Sequence, residues 1–120
     1  MIGFLQRQLR RFIFAVRGIF HALRYDRSFQ IQFFLGGFFV WVFSELMFPL
    51  TEVEFLFLLL SWILVLITEL QNTSFEAALD KIHPEMHDKI GRSKDMASGA
   101  VLIAGVFALG IVIWIVLGRL

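Results

Sequence analysis

The sequence predicts an all-α membrane protein, with an N-terminal amphipathic helix on the membrane surface followed by three transmembrane helices. Composition points there first: 58% of the 120 residues are hydrophobic and fifteen are Phe, a makeup foreign to water-soluble domains. Charge points the same way, because every Lys and Arg except Arg119 falls in two blocks, residues 7–27 and 81–94. Such blocks mark one side of a membrane.

Residues 1–27 form the surface element. Leu5, Leu9, Phe12, Ile13, Val16, Phe20 and Leu23 recur at helical spacing, while Arg7, Arg10, Arg17, His21 and Arg24 follow the same period on the opposite side, the pattern of an interfacial helix. The segment has neither an uninterrupted apolar core nor a small-residue cleavage site, so it is expected in the mature protein rather than as a signal peptide. A plain cationic anchor without chemistry fits it equally well.

Residues 28–120 are expected to form the membrane domain. The first span, 29–48, opens with an uncharged Phe-rich run and passes Glu45 near its end. The second, 53–70, has a short uncharged middle, and its flanks make it a span: Glu52 and Glu54 sit at one interface and Glu69 at the other. The third, 97–118, lies within an uncharged stretch from Met96 to Gly118. Positive charge places the N-terminus and a loop at 71–96 in the cytoplasm, and the turn at Pro49 and Arg119 outside. The loop begins as a continuation of the second span, which His83-Pro84 is expected to end.

The absence of cysteine excludes disulfides and thiolate chemistry. Nucleic acid is not an expected partner, since the basic residues fit a bilayer surface. No phosphate-binding glycine loop or soluble-kinase signature occurs.

The 71–96 region and its approach hold the chemistry. Glu69, Asn72, Glu76 and Asp80 lie three, four and four residues apart, on one face of a helix leaving the membrane. Three close acids repel unless a cation or proton intervenes, which points to Mg²⁺ held by oxygen ligands. A solvated helix face is the bland alternative, but an ionisable residue adjoining a span is a functional candidate by default. Downstream, Glu85, His87, Arg92, Lys94 and Asp95 form a second polar cluster. Lys94 can offer a point charge to phosphate, and Asp95 can accept from a ribose hydroxyl or cap the third span. His83 and His87 are too few and too poorly placed for a metal site.

The string Glu69-Leu-Gln-Asn-Thr-Ser-Phe-Glu-Ala-Ala-Leu-Asp80, with Pro84-Glu-Met-His87 and Gly91-Arg-Ser-Lys-Asp-Met-Ala-Ser-Gly-Ala-Val101, closely resembles the prokaryotic diacylglycerol kinase family. Surface helix, spans and their order extend the likeness over nearly the whole chain, although residues 33–67 match in hydropathy alone. The resemblance implies an ATP-dependent lipid kinase of the bacterial inner membrane. It makes Glu69 the general base beside the lipid, with Asn72 positioning phosphates. Asp26 and Glu76 would hold Mg²⁺, and Glu76 would also face the nucleotide. Glu85, Met86, His87, Lys94 and Asp95 would line the nucleotide, and Ser98 would lie near the lipid. It also implies a homotrimeric bundle with sites shared between subunits, and either diacylglycerol or undecaprenol as the acceptor.

Two positions depart from the family pattern: Asp26 stands where Glu is usual, and Gln30 where a basic residue is frequent. The Ala97, Ala100, Ala104 and Ala108 stripe suits close helix contact, between subunits or within one. Two rival readings leave residues without a purpose. A small transporter or channel subunit would use Glu69 and Glu76 as an ion relay but has no role for Asp26 or Lys94-Asp95, and a structural scaffold leaves the acid stripe unexplained.

Overall fold

The computed structural model describes residues 1–82 and 88–120, and in these every regular element is a helix. Four helices follow in order: α1 Ile2–Tyr25, α2 Arg27–Leu46, α3 Glu52–Ile82 and α4 Asp88–Leu117. The last three are long and apolar enough to cross a membrane.

Helix α1 touches the rest of the chain through its final turns, which pack on α2. Ala22 is its one buried residue, and Leu5, Leu9, Phe12 and Phe20 stay exposed. Asp26 separates α1 from α2 with an extended backbone, and its side chain caps α2. Gln30 stitches the same junction, its Nε2 donating to the Leu23 carbonyl at 2.8 Å. That carbonyl belongs to the last turn of α1, where no intrahelical donor remains for it. A long amide does there what a basic residue could do through charge.

Helix α3 is the axis of the molecule, packed by α2 and, more extensively, by α4. Thr51 starts it by accepting from the Glu54 amide at 3.1 Å, and Glu52 and Glu54 suit the positive end of its dipole. Its 31 residues make a rod of about 46 Å at about 1.5 Å per residue. A bilayer core is about 30 Å thick, so several turns project beyond it. Residues 71–82 finish α3, the continuation expected of the second span, whereas residues 88–96, expected as loop, begin α4. Helix formers such as Glu76, Ala77, Ala78 and Leu79 favour the first part, and in the second only Gly91 weakens the helix, by about 1 kcal/mol. The expected break at His83-Pro84 lies outside the described residues.

The core sits at the end of the bundle away from Asp26. Val40, Phe43, Leu58 and Ile115 are buried there together, with Trp62, Ile111 and Val116 packed around them. Trp62 sets the Nε1 edge of its indole against α2 because Gly36 and Gly37 leave room, and Nε1 donates to the Gln32 carbonyl at 3.0 Å. Arg119, just past α4, reaches Glu54 with two bonds of 2.7 and 3.2 Å and the Pro49 carbonyl at 3.1 Å. Polar side chains within the spans bond to their own helix: Ser61 to the Leu58 carbonyl, Thr68 to those of Leu64 and Val65. A chain in lipid must satisfy such groups internally. Within the alanine stripe, Ala104 is buried and borders a cleft with Leu64 and Thr68 of α3, so that part of the stripe packs within the subunit.

Candidate active site

Helical spacing sets the first half of the site. Glu69 is buried on α3, with 7% of its surface exposed, and it stands where the helix leaves its apolar stretch. One turn on, Asn72 donates from Nδ2 to Glu76 Oε1 at 3.5 Å. Its other polar atom, Oδ1, is buried and accepts from nothing among the described residues. A buried carbonyl left unbonded costs about 1–3 kcal/mol, so this atom marks a place where an outside donor or cation is wanted. Glu76 itself is exposed.

Tertiary contact supplies the second half. Asp26, at the α1–α2 break, receives the Thr73 hydroxyl on Oδ2 at 2.6 Å and the Phe29 amide on Oδ1 at 3.3 Å. That brings its carboxylate to the same face of α3, near enough for Asp26 and Glu76 both to act electrostatically on Glu69. Acids from two segments thus act on Glu69, and one of them, Glu76, also accepts from the Asn72 amide. A cleft of about 540 Å³ opens beside them between α1, the junction and α3, bordered by His21, Tyr25, Asp26, Thr73 and Ser74 among others.

Among the described residues no three His, Asp or Glu side chains already stand together as a ready-made metal cage. The donor chemistry nevertheless suits Mg²⁺, which takes oxygen ligands and is commonly bound by one or two carboxylates together with substrate phosphates. Asp26 and Glu76 offer the carboxylates, and the Asn72 oxygen has no competing partner among the described residues.

Lys94 faces α3 across the helical hairpin and is paired with Asp80, which joins it to the lower end of the acid stripe. Asp95 and Ser98 are exposed on α4. Because α4 begins at Asp88, Asp95 is inside the helix and does not cap it. Glu85, Met86 and His87, the remaining nucleotide candidates, lie outside the described residues. Sequence reasoning passed over Thr73, whose signal was its place directly after Asn72 on the stripe-bearing helix. It also left Asp80 without a partner, although a lone acid one turn past Glu76 and a Lys on the next helix invite pairing.

The family model described as prokaryotic diacylglycerol kinase matches residues 13–116. A diacylglycerol kinase of Haemophilus influenzae is 32% identical over 93 residues, covering 76% of this chain and 75% of the relative. Diacylglycerol kinases of Escherichia coli K12 and Shigella flexneri are 45% identical over 60 residues, covering 50% of this chain and 48% of each relative. The match thus spans about half the length of the Escherichia coli and Shigella proteins.

Proposed function

Because this chain belongs to the prokaryotic diacylglycerol kinase family, we propose that it is a membrane lipid kinase that transfers the γ-phosphoryl group of ATP to the primary hydroxyl of diacylglycerol, giving phosphatidic acid. The observation that carries the reading is that Asp26 and Glu76, from two segments, both act on Glu69 where α3 emerges from its apolar stretch, on the same helix as the buried, unpartnered Asn72 oxygen. There a lipid hydroxyl at headgroup depth can meet a nucleotide in water.

In this reading Glu69 accepts the hydroxyl proton on its carboxylate as the alcohol oxygen bonds to the γ-phosphorus. The bond from that phosphorus to the β,γ-bridging oxygen breaks, and ADP leaves with the electron pair. Asn72 orients phosphate oxygens, Lys94 leaves Asp80 to contact a phosphate, and Asp95 lies with the nucleotide. Glu85, Met86 and His87 complete the nucleotide side, and Ser98 the lipid side. Asp26 and Glu76 would hold Mg²⁺, which when bound neutralises charge on the phosphates.

The exposed apolar stripe of α1 would rest in the cytoplasmic leaflet of the bacterial inner membrane, with its arginines toward anionic headgroups. As the family resemblance implies, we propose a homotrimer. Asp95 and Ser98, exposed on α4, are then offered to a neighbour's site.

Radiolabelled ATP presented with a panel of lipid alcohols in mixed micelles tests the substrate. Label is expected in phosphatidic acid when diacylglycerol is supplied. Labelling confined to undecaprenol would replace the acceptor, and labelling of no lipid would remove the kinase reading.

A further inference from the structure

Asp26 faces a geometric problem that the structure solves with one side chain. As the residue between α1 and α2 it uses Oδ1 to accept from the Phe29 amide, which turns its carboxylate along the start of α2. A short Asp side chain, committed to its own helix in this way, leaves one oxygen to be oriented toward α3. The other oxygen is held from outside, by the Thr73 hydroxyl at 2.6 Å, a bond between residues 47 positions apart. Thr73 follows Asn72 directly, and lies four residues after Glu69 and three before Glu76 on the same helix.

We propose that Thr73 is a positioning residue for the divalent cation, its hydroxyl fixing the Asp26 carboxylate beside Glu76. The proposal rests on the reading in which Asp26 and Glu76 are the cation's ligands. Two bonded donors still leave room, because an ionised carboxylate has about four lone-pair sites. The bond therefore aims Asp26 without consuming it. Losing a partner that orients a metal ligand typically lowers metal affinity about 10- to 100-fold. The shorter acid makes this chain depend on that partner, since the bond fixes the direction of the one Asp26 oxygen that faces α3.

The test is direct Mn²⁺ binding, followed by electron paramagnetic resonance, to the full chain in detergent with a saturating non-hydrolysable ATP analogue. Thr73→Val removes the hydroxyl at constant shape, and Thr73→Ser restores it. Expected is roughly a tenfold or greater loss of Mn²⁺ affinity in Thr73→Val, near-normal affinity in Thr73→Ser, and no further loss when Thr73→Val is added to Asp26→Asn. A Thr73→Val protein that melts earlier but binds Mn²⁺ normally, while Asp26→Asn binds weakly, would overturn the proposal and leave Asp26 a ligand. Normal Mn²⁺ binding by Asp26→Asn would overturn the ligand reading, and the role of Thr73 with it.

Discussion

The guanidinium of Arg119 holds both carboxylate oxygens of Glu54, at 2.7 and 3.2 Å, and so joins the end of α4 to the first turn of α3. Glu54 is largely buried, and the same guanidinium reaches the Pro49 carbonyl in the turn between α2 and α3. One side chain thus closes the end of the bundle opposite the acid stripe.

Arg119→Ala should therefore destabilise the chain without touching its chemistry. Removing one member leaves a buried acid unpaired, a cost of about 1–3 kcal/mol. The thermal unfolding midpoint in detergent should fall, while turnover at low temperature stays near normal. An unchanged midpoint would mean the pair contributes nothing.

Packing of α2 on α3 can be tested at Gly36. A methyl group there would stand 2.6 Å from Trp62 Nε1, so Gly36→Ala should push the indole away and break its bond to Gln32. Overpacking of this kind costs about 1–3 kcal/mol. Gly105→Ala, with nothing within 4 Å, is the control and should be tolerated. Equal stability of the two variants would argue against the close approach.

Base and metal roles separate by kinetics. Glu69→Gln keeps shape but takes no proton, and should lower turnover by about 10²- to 10⁴-fold with little change in MgATP binding. Glu76→Gln should weaken binding and turnover together and, like Asp26→Asn, raise the Mg²⁺ requirement. Normal turnover in Glu69→Gln, or unchanged Mg²⁺ titrations in the other two, would remove those residues from their roles.

Lys94 must leave Asp80 to meet a phosphate. The pair is exposed, and surface pairs are worth about 0–1 kcal/mol, so Asp80→Asn should lower the KM for ATP by no more than about fivefold. Lys94→Met should raise it far more. A large loss of activity in Asp80→Asn would make Asp80 more than a resting partner.

Mixed oligomers test which chain supplies each group. Asp26 and Glu69 act on each other within one chain, so Asp26→Asn mixed with Glu69→Gln should recover little activity. Glu69→Gln mixed with Asp95→Asn should recover some, if α4 serves a neighbour's site. Recovery in the first mixture alone would reverse that assignment.

The spans and the acid stripe are legible in the sequence, because both follow from periodicity along one chain segment. Apolar runs of spanning length need no partner to be recognised, and Glu69, Asn72 and Glu76 share a face once the segment is helical. The remaining contacts arise from packing. Asp26 reaches the stripe through the hydroxyl of Thr73, Lys94 meets Asp80, and Arg119 returns to Glu54 from 65 residues away. Such pairs depend on how rods pack and turn against one another, and distance along a chain carries no trace of that. The helix at 88–96 was equally hidden, since polar composition resembles a loop until a neighbouring helix extends through it.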